Sequence, residues 1–112
     1  MIIYEVNLTI SEEVYDAFIT WLKPHIQEML ELDGFESAQL LQHIDTNNYK
    51  KIELSVRYRV KNEACLDQYL THQAKAMRGK ALPQFQGKFQ ASRKVLAIMD
   101  EFFSIRPRHS FL

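Results

Sequence analysis

Cysteine is nearly absent from this chain, and the residues that interrupt regular structure are few. Its 112 residues include one cysteine, three glycines and three prolines. A single cysteine cannot form a disulfide within the chain, which excludes a disulfide-rich secreted scaffold and favours a reducing cytoplasm. No apolar run approaches the roughly 18 residues of a membrane-spanning helix, and no signal-peptide pattern is visible. We therefore expect one cytoplasmic domain.

The net charge is zero, but the two halves of the chain differ in sign. Residues 1–49 hold one lysine and nine acids (−8), whereas residues 50–112 hold thirteen Lys or Arg and five acids (+8). A neutral total argues against general nucleic-acid binding, which needs surplus positive charge. Because the charges are spread among regular elements, we expect them to pair within a subunit or between subunits.

Motifs that would identify a reaction are missing. The histidines are His25, His43, His72 and His109; none forms an i, i+4 pair, and no carboxylate completes a ligand set. We therefore expect no metal site. There is no recognisable Ser-His-Asp spacing that would indicate a catalytic triad. There is also no glycine-rich phosphate loop, and we expect no dedicated cofactor.

Two stretches alternate strictly between apolar and polar residues, as strands with one wet face do. One is Lys51–Val60 and the other is Ile2–Ile10. Their polar positions include Glu5, Asn7, Thr9, Glu53, Ser55, Arg57 and Arg59. The charged side chains should thus share one face of a sheet.

Helical periodicity follows each of these strands. After a possible N-cap at Ser11, apolar residues recur at three- and four-residue steps as far as Leu30, and we expect Pro24 to kink or break this helix. Asp33-Gly34 should end it. A second helix begins after Asn62 and carries an apolar stripe of Leu66, Tyr69, Leu70, Ala74, Met77 and Ala81.

Two weaker strands complete the pattern. Phe35–Ile44 should form a hairpin with Lys51–Val60 through the turn residues 45–48. Lys88–Ile98 is the last strand, and its facing is ambiguous unless a bulge lies near Arg93. We expect a domain over residues 1–100 and a C-terminal tail over 101–112.

The element order is βαββαβ, which predicts a ferredoxin-like α+β sandwich with both helices on one face of a four-stranded antiparallel sheet. The first and third strands should then lie in the middle of this sheet. The polar face could simply be wet. Alternatively, two copies could pack sheet to sheet around an enclosed polar cavity, in which Glu5 and Glu53 would pair with Arg57 and Arg59.

The chain resembles a small, functionally uncharacterised bacterial family of dimeric α/β-barrel proteins. The resembling residues run from Met1 to Leu96 and include Met1-Ile2-Ile3-Tyr4-Glu5-Val6, Trp21, His25-Ile26, Gly34-Phe35, Val56-Arg57-Tyr58, Met77-Arg78, Gly87-Lys88-Phe89, Ala91 and Arg93. The resemblance implies a ferredoxin-like protomer and a back-to-back homodimer, with no established activity. Similar dimeric barrels include cofactor-free monooxygenases, lactone isomerases and haem-degrading enzymes, an analogy of fold alone.

Five residues are candidates for function. Arg57 and Arg93 could bind an anionic group, Glu5 and Asn7 could shape a polar site, and His25 could act as an acid or base. Each has an ordinary structural alternative, such as an ion pair within the protein or a packed histidine. Cys65 is best explained as a small buried residue.

The leading hypothesis is a homodimer that binds a small anionic organic molecule, with cofactor-independent proton-transfer chemistry as one option. The alternative is a non-catalytic interaction or regulatory module. RNA-recognition motifs share the element order, but they stack bases on aromatic residues of the open sheet face. Here Tyr4 and Tyr58 should lie on the helix-covered side.

Overall fold

In a computed structural model the chain forms one sheet with a helical layer, and residues 1–45 and 50–106 are described. The strands are β1 (Ile2–Ser11), β2 (Phe35–Gln42), β3 (Lys51–Val60) and β4 (Phe89–Ala97). After a 3₁₀ turn at Glu12–Val14, the helices are α1 (Tyr15–Met29), α2 (Glu63–His72), α3 (Ala74–Gly79) and α4 (Leu82–Phe85). This order confirms the predicted ferredoxin-like fold.

The sheet has the order β2-β3-β1-β4, and its neighbouring strands are antiparallel. The two strongly alternating strands therefore occupy its centre, as predicted. Glu5 of β1 lies between Arg57 of β3 and Lys94 of β4. Because neighbouring residues in register share a face, the predicted polar positions do fall on one side, which we call the open face.

The opposite side of the sheet carries the core. Tyr4 and Tyr58 pack there with ring centroids 6.1 Å apart, and Tyr69 of α2 meets Tyr4 edge-on at 5.8 Å. Phe18 of α1 contacts Phe85 at a centroid distance of 5.0 Å. Aromatic contacts thus join α2 to the sheet and α1 to α4, within a core that also holds many aliphatic side chains.

Several local predictions were wrong. Helix α1 runs through Pro24, an exposed residue, so the break expected there as an alternative to a kink is absent. The Ser11 side chain makes no capping hydrogen bond. The second predicted helix is divided into α2 and α3, and the short helix α4 follows it. Asn62 does cap α2, by accepting a 2.9 Å bond from the Cys65 amide.

The expected bulge near Arg93 is also absent: β4 pairs with β1 without a register shift from Phe89 to Ala97. The irregularity lies instead in β2, between Phe35 and Ser37. The strands β2 and β3 pair as a hairpin, but most of its proposed turn lies outside the described residues.

Ion pairs join the acidic and basic halves of the chain, as the charge division predicted. Glu28 binds Lys80 at 2.8 Å, and Glu13 binds Lys88 at 2.5 Å. On the open face, Glu5 binds Arg57 at 2.7 Å. Within the described ranges, no helix combines the length and the apolar character needed to cross a membrane.

Gly34 occupies a turn in which no other residue fits well. Its φ is +81°, and an added Cβ would lie 2.5 Å from the Cys65 sulfur. We expect Gly34→Ala to lower the free energy of unfolding by about 2–4 kcal/mol, measured by urea denaturation. Gly79→Ala is the matched control, because nothing lies within 4 Å of its added Cβ. Equal stability of the two variants would contradict this.

Candidate functional site

A cavity of about 320 Å³ lies between the sheet and the helical layer. Its floor comes from β1, β3 and β4, and its roof comes from α1, α2 and α3. The lining is mainly apolar and aromatic, and it includes Tyr4, Val6, Phe18, Trp21, Met29, Val56, Tyr58, Tyr69, Met77, Phe89 and Ala91. This size is at the lower end of the range typical of small-molecule sites, about 300–1,000 Å³.

Three tyrosines place phenol groups along this cavity. Burial raises the pKa of Tyr58 well above its ordinary value, and burial together with Tyr4 raises the pKa of Tyr69 to about 12. Both phenols therefore stay protonated at neutral pH and can donate hydrogen bonds. The Tyr4 hydroxyl accepts a 3.0 Å bond from Nη2 of Arg78, an exposed residue of α3.

Arg93 adds a second guanidinium group at the exposed rim of the cavity. It lies on β4 opposite Val6, which puts it on the helix side of the sheet. In the described part of the chain it has no ion pair and no hydrogen bond. A guanidinium without an ion pair or hydrogen bond, at the mouth of an apolar cavity, can bind a carboxylate or phosphate through two parallel hydrogen bonds.

His25 forms part of the cavity wall on α1, where its ring stacks on Trp21 at a centroid distance of 4.6 Å. Its side chain is only 13% exposed, and its buried Nδ1 has no hydrogen-bond partner among the described residues. The nearest carboxylate oxygen, from Glu28, is 3.8 Å away. Desolvation lowers the pKa of His25, and this outweighs the opposing charge of Glu28. The imidazole is therefore neutral at pH 7 and can accept a proton.

The open face carries a separate group of polar side chains. The Glu5 carboxylate accepts bonds from Arg57 Nε at 2.7 Å and from Asn7 Nδ2 at 3.0 Å, and Lys94 Nζ lies 3.3 Å away. These neighbours cover Glu5, so that its side chain is only 4% exposed. The carboxylate is thus fully engaged within the protein.

The same group extends to the edge of the sheet. Ser55 Oγ donates to Asn7 Oδ1 at 2.5 Å, so its single proton is committed. His43 Nε2 lies 2.8 Å from Ser55 Oγ and must therefore donate to it. We call these six residues, Glu5, Asn7, His43, Ser55, Arg57 and Lys94, the open-face network.

The structure therefore divides the predicted site residues between two faces. Glu5, Asn7 and Arg57 lie together in the open-face network, whereas His25 and Arg93 lie at the cavity on the other side of the sheet. The sequence analysis overlooked His43 and gave no role to the three cavity tyrosines, because aromatic residues at strand and helix spacing look like ordinary core. Over the described ranges, no three His, Cys, Asp or Glu side chains cluster as metal ligands.

The open-face network should make the free energy of unfolding depend on pH. The Asn7 hydrogen bond, opposed by burial and supported by Arg57 and Lys94, lowers the pKa of Glu5 from 4.5 to about 2. The stabilisation is fully present above pH 4.5 and is lost as the pH falls toward 2. Because Arg57 and Lys94 are half exposed, we expect a loss of about 1–2 kcal/mol. Urea unfolding at pH 6 and pH 3 measures it, and Glu5→Gln should remove most of the difference.

The protein defined by these features is a ferredoxin-like sandwich with a cavity under its helices. It belongs to the family of the domain of unknown function DUF4286, whose sequence profile matches residues 1–99. Among curated proteins, none matches the chain.

Solved structures share the fold at low sequence identity. A Deinococcus radiodurans protein, provisionally described as an antibiotic biosynthesis monooxygenase, is 14% identical with a TM-score of 0.68, covering 96% of this chain and all of its own. A variant of SnoaB, a cofactor-independent oxygenase from Streptomyces nogalater, is 11% identical with a TM-score of 0.62 over 89% of this chain and 95% of its own. A dimeric ferredoxin-like protein from an uncultured marine organism is 8% identical with a TM-score of 0.68, covering 90% of this chain and 98% of its own. These likenesses establish the fold.

Proposed function

We propose that this protein binds a small, planar organic anion in the cavity between the sheet and the helices. The observation that carries the proposal is Arg93, whose guanidinium lies at the rim of an aromatic cavity and has no ion pair and no hydrogen bond in the described chain. A ring would pack against Trp21 and the tyrosines, and the anionic group would bind Arg93, with Arg78 beside it.

Arg57 is a weaker candidate for binding this anion. It already donates to Glu5 at 2.7 Å, and moving it to a ligand would remove one of the two cations beside a covered carboxylate. We therefore assign Glu5, Asn7 and Arg57 to the open face and its contacts rather than to ligand binding.

The chemistry that fits the cavity is proton abstraction without a dedicated cofactor. The neutral His25 imidazole would take a proton from the bound molecule, and the resulting anion would be stabilised by Arg93 and by the protonated phenols of Tyr58 and Tyr69. The SnoaB neighbour, described as a cofactor-independent oxygenase, supports this class of chemistry by analogy of fold only.

We further propose that the protein is a homodimer whose two sheets pack through their open faces. The marine neighbour, described as dimeric, supports this. So does the open-face network, which covers Glu5 and Ser55 on a sheet face without helices. Light scattering at micromolar concentration should give twice the mass of one chain, and a monomer would contradict the proposal.

Ligand binding is tested by thermal shift with benzoate, 1-naphthoate and phenyl phosphate. A probe present at 100 times its Kd stabilises the folded state by about 2.7 kcal/mol. Arg93→Ala should abolish that shift, whereas Lys94→Ala, the next residue on the same strand but on the open face, should retain it. Equal losses in both variants would contradict the cavity assignment.

The proposed proton abstraction by His25 is tested by a separate measurement. For a probe that binds and carries an acidic C–H bond, wild-type protein should catalyse exchange of that hydrogen with D₂O, followed by NMR. His25→Asn should slow the exchange by about 10²–10⁴-fold while leaving binding intact. Binding without any exchange would favour the alternative, a non-catalytic regulatory module.

A further inference from the structure

The chain continues past its last strand into a segment that buries almost nothing. After the Ile98 amide bonds to the Met1 carbonyl at 3.1 Å, residues 99–105 have no regular structure. We call residues 99–105 the C-terminal arm. Its four large apolar side chains are 80–99% exposed: Met99, Phe102, Phe103 and Ile105. So dense a run of exposed apolar side chains is unusual on the surface of a monomer.

One ion pair ties the arm to a residue of the open face. Glu101 accepts a 3.0 Å hydrogen bond from Arg59 Nη2. Arg59 lies on β3 opposite Ile3, which in turn lies opposite Leu96 of β4. Since β1 separates β4 from β3 in the sheet, this contact between side chains ties the arm to the end of the open face. The exposed aromatic side chains are therefore presented beside the open face.

Two further observations bear on what would cover the arm. Arg57 and Lys94 both bind Glu5, so this group has one positive charge in excess, while Asp100 on the arm has no ion pair among the described residues. The open face also has apolar side chains at the end of the sheet where the arm begins, including Leu96, which is 40% exposed. A second open face thus offers both apolar and cationic partners for the arm.

We infer that the C-terminal arm packs onto a second copy of this chain and forms part of the dimer interface. This inference rests on the proposed homodimer through the open faces. Sheets pack about 10 Å apart, so a partner sheet on the open face would come close to a segment that is tied to Arg59 at the end of that face. The family profile matches residues 1–99, so all of the arm after Met99 lies outside that match.

The test compares full-length variants by sedimentation velocity over a concentration series. The double variant Phe102→Ser/Phe103→Ser should raise the dimer Kd at least about 30-fold, because burial of two phenylalanines is lost. Leu70→Ser is the control: it removes an apolar side chain, 39% exposed, from α2, and should leave the Kd unchanged. Far-UV circular dichroism verifies that both variants are folded.

The possible outcomes distinguish a failure of the arm inference from a failure of the homodimer proposal. An unchanged Kd in the double variant overturns the inference and leaves the homodimer standing, whereas a monomeric wild type overturns both. If the wild-type dimer is too tight to dissociate, labelled and unlabelled copies that are unfolded together and refolded should show intermolecular NOEs from the Phe102 and Phe103 rings. Their absence in a dimer also contradicts the inference. Ligand binding is tested independently of either result.

Discussion

Ala91→Trp should abolish the thermal shift that an aromatic carboxylate produces in the wild type, while the variant remains folded. Ala91 lies on β4 opposite Leu8 and lines the cavity. An indole there would occupy the space that the proposal gives to the ligand ring. Because the new side chain enters an existing cavity, overpacking should cost only about 1–3 kcal/mol. Isothermal titration calorimetry should show at least a 100-fold weaker affinity.

Ser92→Trp is the matched control for this experiment. Ser92 is the next residue on the same edge strand and lies opposite Asn7, on the open face. It should leave ligand affinity within about twofold of the wild type and weaken dimerisation instead. If Ser92→Trp lost ligand binding and Ala91→Trp retained it, the ligand would bind on the open face, which would contradict the cavity assignment.

Phe18→Ala should produce the largest loss of stability of any single substitution considered. The Phe18 side chain is 1% exposed and meets Phe85, Phe89 and Trp21 at centroid distances of 5.0, 5.1 and 5.5 Å. Removing the ring leaves a void that joins the ligand cavity and loosens α1, α4 and β4 together. We expect a loss of about 3–5 kcal/mol, a fall in melting temperature of roughly 10–20 °C.

Phe18→Leu is the conservative comparison, because it fills most of the same volume without an aromatic ring. It should cost about 1–2 kcal/mol. Differential scanning calorimetry measures both variants. A Phe18→Ala protein within 1 kcal/mol of wild type would mean that this aromatic cluster does not fix the helices to the sheet.

The sequence predicted the centre of the sheet well because β1 and β3 have one buried and one polar face. A one-residue slip would expose Tyr4 and Tyr58 and bury Arg57, so the alternation fixes their facing. The contact between Glu5 and Arg57 followed from the same argument, once the element order had put these strands side by side.

The facing of β4 could not be predicted in the same way. As an edge strand it is covered incompletely on both sides: Val95 on the helix side is 49% exposed, and Leu96 on the open face is 40% exposed. Apolar residues of β4 therefore point to both faces of the sheet, and their pattern does not determine on which face Arg93 lies. That ambiguity is the reason why Arg93 could be grouped with Glu5, Asn7 and Arg57 in the sequence analysis.

The cavity itself leaves no signature in the sequence. Its tyrosines have the spacing of core residues, and only the way that α1 and α3 pack over the sheet leaves space between them. The local pattern likewise did not show that α1 continues through Pro24. Local patterns identified the elements but not the gaps between them.

The most direct test of the cavity assignment is ¹H–¹⁵N NMR of wild-type protein titrated with the aromatic carboxylate of highest affinity. The chain has one tryptophan, so its indole N–H gives a single signal from the cavity wall. We predict that this signal and the Nε–H of Arg93 shift together and saturate at one Kd. Saturable shifts at the Nε–H of Arg57, with the Trp21 indole unmoved, would contradict the account.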